Sequence, residues 1–126
     1  MSNAYADAAE RHFKDALALK LQGRLDNAGH LIGFSAECAI KSAIILSATG
    51  LAPFGHLPGL LTIARKRLES RTANHRLLFM LNTNAFNNWD VARRYHPSGD
   101  TTSLELDSWV RATRQLLASA GIKSKS

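Results

Sequence analysis

Several features are scarce in this chain or missing from it. It has one cysteine, Cys38, so an internal disulfide cannot form. A lone thiol among small and apolar residues is typical of a packed core position in a reducing compartment, and we expect a cytoplasmic location. The five histidines are scattered singly, without His-x-x-x-His or Cys-x-x-Cys spacing, so we predict no metal site. Gly-rich phosphate loops and Gly-x-Ser-x-Gly are also missing, and we expect no cofactor.

Long apolar runs are missing as well. No stretch of about 20 consecutive apolar residues occurs, and the first residues lack the basic-then-apolar pattern of a secretory signal. We therefore expect no membrane span. The 126 residues, 45% hydrophobic and 21% charged, predict one globular domain over 1–126 with a disordered tail at 122–126.

Basic residues outnumber acidic ones. The chain has 16 Lys and Arg against 10 Asp and Glu, a net charge of +6. Such a balance favours polyanionic partners, which include nucleic acid, nucleotides and acidic proteins.

Apolar residues recur at helical spacing along most of the chain. Gly23 and Gly121 follow the last periodic residues of two segments, where a glycine commonly ends a helix. The 20 residues of 82–101 form a long irregular connection, which we expect to be docked because it holds Trp89 and Tyr95. The pattern predicts an all-α, antiparallel bundle of about five helices, over 5–22, 26–49, 58–70, 73–81 and 103–120.

The second helix is apolar over most of its circumference, which predicts a central position in the bundle. Asp26 or Asn27 is its expected N-cap. A narrow polar stripe remains, formed by His30, Gly33, Glu37 and Lys41. A carboxylate in such surroundings needs partners, since an unpaired buried charge is costly. Glu37 and Lys41 therefore belong either to a structural network or to a binding site, and Arg94 is the expected distant partner of Glu37.

The stretch Gly23–Ser42 resembles the second helix of HEPN domains, in which a small-residue-rich helix carries an aromatic, then a glutamate, then a lysine one turn later. Flanking pieces agree with this resemblance over roughly residues 5–120. They are His12-Phe13 with Ala16, His56-Leu57 leading into Leu60-Leu61, and Trp89-x-x-x-Arg93-Arg94-Tyr95.

The resemblance implies a helical bundle that pairs as a homodimer, in RNA metabolism, toxin–antitoxin pairs or defence. It implies either a metal-independent ribonuclease or a non-catalytic module that pairs with a minimal nucleotidyltransferase. The family's catalytic motif is an arginine followed, after four to six residues, by a histidine near a late helix. Arg94 and His96 lie late in the chain but have only one residue between them. Arg24 and His30 have five residues between them but lie early in the chain. Both pairs are candidates for catalysis.

Metal-free RNA cleavage needs a base for the 2′-hydroxyl and a cation for the phosphate, which histidine and arginine supply. Basic residues 65–76 form either a solvated helix face or a phosphate-binding surface. Trp89, Tyr95 and Trp109 either pack in the core or stack on bases. Besides Glu37 and Lys41, the candidate binding residues are His56, Arg65, Lys66, Arg71 and Arg93.

Overall fold

The computed structural model of the chain describes residues 4–47, 55–68 and 75–122, without the side chains of Ser47 and Arg94. These residues contain no strand, and the predicted all-α bundle is confirmed. A 3₁₀ helix, Val91–Tyr95, lies in the long connection before the last α-helix. The α-helices are α1 (Ala4–Leu21), α2 (Leu25–Ser47), α3 (Gly59–Leu68), α4 (His75–Met80) and α5 (Ser103–Ser119).

Helices α1 and α2 form an antiparallel hairpin. Gly23 ends α1 as predicted, with a φ of +76° that favours glycine, and the amide of Arg24 donates to the Leu19 carbonyl at 2.9 Å. Within the hairpin, the buried Ser35 hydroxyl donates to the Ala9 carbonyl at 2.6 Å. The sequence also predicts Leu21 to face inward, and this is wrong: Leu21 is 90% exposed, because it is the last residue of α1.

Helix α2 is the centre of the bundle and contacts α1, α3, α5 and the 3₁₀ helix. Over Leu25–Leu46 it is long and apolar enough to pass for a membrane span, by length and composition only. Most of that stretch is buried inside the bundle, and the core helix of a soluble protein has the same composition. The helix begins at Leu25, so Asp26 lies in its first turn and is not the expected N-cap.

Helix α5 begins with a capping box in which Thr102 and Glu105 each bond the other's backbone amide. Its predicted inward residues are all buried. Lys20 near the end of α1 pairs with Asp107 near the start of α5 at 2.7 Å, so these two helices are antiparallel. Accordingly α5 runs in the same direction as α2, and Thr113 lies beside Ile32. The buried inward set comprises Leu106, Trp109, Val110, Thr113, Leu116 and Leu117.

The connection between α4 and α5 is docked on α2, as expected. The Trp89 indole lies directly over Gly33, and its Nε1 donates to the Gly29 carbonyl at 2.8 Å. Trp109 of α5 covers Gly29 from the other side, where an added Cβ would lie 2.9 Å from its ring. The two glycines therefore let both tryptophans approach the α2 backbone closely. This docking places the 3₁₀ helix beside the start of α2.

Candidate functional site

A polar cleft of about 310 Å³ opens where the α1–α2 turn meets the 3₁₀ helix. The start of α2 forms one wall, and the 3₁₀ helix with its following loop forms the other. Its lining residues are Gly23, Arg24, Leu25, Asp26, Asn27, His30, Arg93, His96 and Ser98.

Asp26 joins the two walls. Its carboxylate accepts the backbone N–H groups of Gly99 at 2.7 Å and of Thr101 at 3.0 Å. Hydrogen bonds from Gly99 and then from Thr101 lower the pKa of Asp26, since they stabilise its charged form. The loop after the 3₁₀ helix is thereby fixed to the first turn of α2.

Arg93 is held by contacts on several sides and is largely buried. Its guanidinium lies over the Trp109 ring, 4.7 Å from the ring centroid. It also donates to Thr101 Oγ1 at 2.8 Å and to the Asn88 carbonyl at 3.3 Å. Arg93 therefore adds a fixed positive charge to the cleft.

His96 ends the 3₁₀ helix and pairs with Asp100. Its Nδ1 lies 2.8 Å from Asp100 Oδ2, and the same oxygen lies 3.6 Å from an Arg93 nitrogen. A carboxylate oxygen accepts this hydrogen bond when Nδ1 is the donor, and in the neutral ring Nε2 is then the acceptor. This arrangement suits His96 to take up a proton inside the cleft.

His30 reaches the cleft from the second turn of α2. Its ring packs against Phe34, with centroids 4.4 Å apart, and stacks near Trp89 at 6.3 Å. These aromatic contacts restrict the plane of the imidazole, and His30 is one of the residues that line the cleft.

The cleft holds one complete pair that the sequence proposes for catalysis, Arg24 with His30, and the histidine of the other pair, His96, beside the candidate binding residue Arg93. Arg24 and His30 line the same cleft as His96 and Arg93, although the two segments lie far apart in the chain. The side chain of Arg94 lies outside the described part of the structure. Sequence reasoning missed Asp26, Asp100 and Thr101 as members of this site, since no periodicity or spacing marks their contacts.

Glu37 lies in a second cluster, away from the cleft. This buried carboxylate accepts the Leu57 amide at 2.9 Å and lies 3.1 Å from His56 Nδ1. Its described partner is thus a histidine, where the sequence led us to expect Arg94. The ammonium of Lys41 lies 5.9 Å from the centroid of the Tyr5 ring. The Glu37 contacts tie the loop before α3 to the middle of α2, and the Lys41 contact joins α2 to α1.

The basic residues of α3 are divided between internal and external positions. Arg65 donates to the Leu81 carbonyl at 2.9 Å and to Thr62 Oγ1 at 3.3 Å, so it braces the end of α4. Lys66 and Arg67 are exposed, and Arg71 lies outside the described residues. Within the described ranges, no three His, Cys, Asp or Glu side chains gather closely enough to hold a metal ion.

Cys38 is half-buried and packs against the core. Burial first, and then the neighbouring Glu37 charge, raises the pKa of its thiol. A raised pKa keeps the thiol protonated, as expected for a structural cysteine.

Comparison with known proteins gives no relative: no family model, curated protein or solved structure matches this chain.

Proposed function

We propose that this chain is an HEPN-like protein that acts on RNA, and that the cleft between α2 and the 3₁₀ helix binds and cleaves a phosphodiester. One observation carries the proposal: two arginines and two histidines from distant segments line a single cleft. Arginine binds phosphate oxygens, and histidine transfers protons near neutral pH. The chain's net charge of +6 favours attraction of a polyanion.

The chemistry needs one proton acceptor and one proton donor. His96, oriented by Asp100, removes the proton of a ribose 2′-hydroxyl, and the 2′-oxygen then attacks phosphorus. The bond from phosphorus to the 5′-oxygen breaks, and protonated His30 donates a proton to that leaving oxygen. Arg24 and Arg93 offset the negative charge on the phosphate during the reaction. The requirement for a 2′-hydroxyl makes RNA, and not DNA, the substrate.

Binding is tested first, by fluorescence anisotropy with a labelled RNA over a range of salt concentrations. Affinity falls as salt rises, because arginine contacts displace counterions from the phosphates. Arg24→Ala weakens binding and lowers the slope of log K against log salt by about 1. Arg111→Ala is the matched control, since Arg111 is also an exposed arginine but does not line the cleft.

Cleavage is tested with the wild type, His30→Ala and His96→Ala, with and without a chelator. The proposal expects wild-type cleavage that survives the chelator and is lost in either variant. Salt-sensitive binding without cleavage would show that the protein binds RNA but does not cleave it. If salt-sensitive binding is also absent, the RNA hypothesis fails, and pairing with a minimal nucleotidyltransferase becomes the function to test.

We also propose a homodimer, on the family resemblance and on apolar residues left at the surface. Ile45 and Leu46 near the end of α2 are exposed, as expected where the apolar arc of that helix extends past its neighbours. Analytical ultracentrifugation at tens of micromolar tests the dimer, and a monomer at that concentration argues against it.

A further inference from the structure

The chain's aromatic residues near the cleft differ sharply in exposure. Trp89 and Trp109 are 1% and 0% exposed, so they are core residues and cannot stack on a ligand. Tyr95 of the 3₁₀ helix is 78% exposed. Of the three aromatic residues that the sequence offers for base stacking, the structure leaves Tyr95 accessible.

Tyr95 also lies beside the groups that would hold a phosphate. A 3₁₀ helix has about three residues per turn, so Arg93 and His96 share one face, and both line the cleft. Tyr95 directly precedes His96 in the chain, on an adjoining face of the helix, and does not itself line the cleft. Tyr95 is thus an exposed aromatic residue that adjoins the cleft-lining His96 in the chain, on the side to which the base of a bound nucleotide could extend.

The short helix that carries Tyr95 is anchored at both ends. Asp90 caps its start by accepting the Ala92 amide at 2.7 Å, and the His96 amide donates to the Arg93 carbonyl at 2.9 Å. Trp89, the residue before Asp90, is bonded to α2 through its indole. Asp26 holds the loop that follows the helix. An aromatic ring on an anchored backbone loses little backbone entropy when it binds a ligand.

We propose that Tyr95 is a base-stacking residue and that the ligand of the cleft is single-stranded RNA. This inference rests on the proposed function, and it adds the strandedness of the substrate. In a duplex the bases are already stacked on one another, whereas an unpaired base presents its face to an aromatic side chain. A duplex would contact the cleft only through its phosphate groups.

The test compares a labelled single-stranded oligouridine with an RNA duplex of the same length, by anisotropy at one low salt concentration. Tyr95→Ala is expected to weaken single-strand binding roughly 5- to 150-fold, the range given by stacking of one base. Tyr95→Phe keeps the ring and should bind as the wild type does. Phe79→Ala is the control, because Phe79 is 72% exposed but lies on α4 beside Met80 and Gln115.

Two outcomes overturn the inference while leaving the proposed function standing. In one, Tyr95→Ala binds the single strand as tightly as the wild type does. In the other, the Tyr95→Ala substitution lowers the affinity for the single strand and for the duplex by the same factor. The salt dependence of Tyr95→Ala should match that of the wild type, since no phosphate contact is removed, whereas Arg24→Ala lowers it. Wild-type protein without salt-sensitive binding overturns the proposed function, and this inference with it.

Discussion

The close packing of Trp89 on α2 predicts that Gly33→Ala is strongly destabilising. A Cβ at Gly33 would fall well inside 3.0 Å of three atoms of the Trp89 indole. The ring cannot retreat easily, because it is 1% exposed and its Nε1 is bonded to the Gly29 carbonyl. Either Trp89 or the α2 backbone must therefore move.

The expected size of the effect follows from two opposing contributions. Overpacking of a core costs about 1–3 kcal/mol, and more where the neighbours are fixed. Replacing a mid-helix glycine with alanine returns roughly 0.5–1 kcal/mol. Since this neighbour is fixed, we expect a net loss of about 2 kcal/mol, or roughly 6–10 °C in Tm for a domain of this size.

Urea unfolding followed by circular dichroism measures this loss. Gly59→Ala is the matched control: Gly59 begins α3 and has no atom within 4 Å of an added Cβ, so the change should be neutral or slightly stabilising. In a Trp89→Leu background the penalty of Gly33→Ala should largely disappear, as a double-mutant cycle detects. A Gly33→Ala single variant as stable as the wild type, or an undiminished penalty in the Trp89→Leu background, would show that the Trp89 ring does not limit the space at position 33.

Variants of Glu37 and of Asp26 test the two hydrogen-bonded carboxylates. Glu37→Ala strands the buried Leu57 amide and should cost roughly 1–3 kcal/mol in urea unfolding, whereas Glu37→Gln keeps an acceptor and should recover part of it. The lowered pKa of Asp26 predicts that its bonds to the loop stabilise the fold above its ordinary value of 3.8 and fade as pH falls through the lower folded value. The difference in unfolding free energy between wild type and Asp26→Asn should therefore be constant near neutral pH and shrink in acid; a difference independent of pH contradicts this.

The sequence predicts the helices well because apolar periodicity and glycine stops are local signals. The inward residues of α5, the stop at Gly23 and the docking of Trp89 were all predictable in this way. The polar stripe on α2 was the least informative local pattern. It indicated that Glu37 needs partners but not which residues supply them: residues 56–57 bond to Glu37, and Trp89 covers Gly33.

The sequence predicted which types of residue form the candidate site, but it did not predict how these residues are placed relative to one another. Arginines and histidines with the chemistry for phosphate could be singled out, but as two alternative pairs. Three of these residues, Arg24, His30 and His96, line one cleft, whose walls are joined by hydrogen bonds from Gly99 and Thr101 to Asp26, more than 70 positions away. Hydrogen bonds over such separations leave no periodic signal in one sequence, so the pairing of Glu37 with His56 was missed for the same reason.

The position of the two tryptophans has an optical consequence. They are the only tryptophans in the chain, and one touches His30 while the other lies under Arg93. All indole emission therefore originates beneath the cleft. A change in the protonation of His30, or a ligand that shifts Arg93, alters the surroundings of an indole directly. The protein thus carries its own fluorophores where binding would occur, and titrations can be followed without a label.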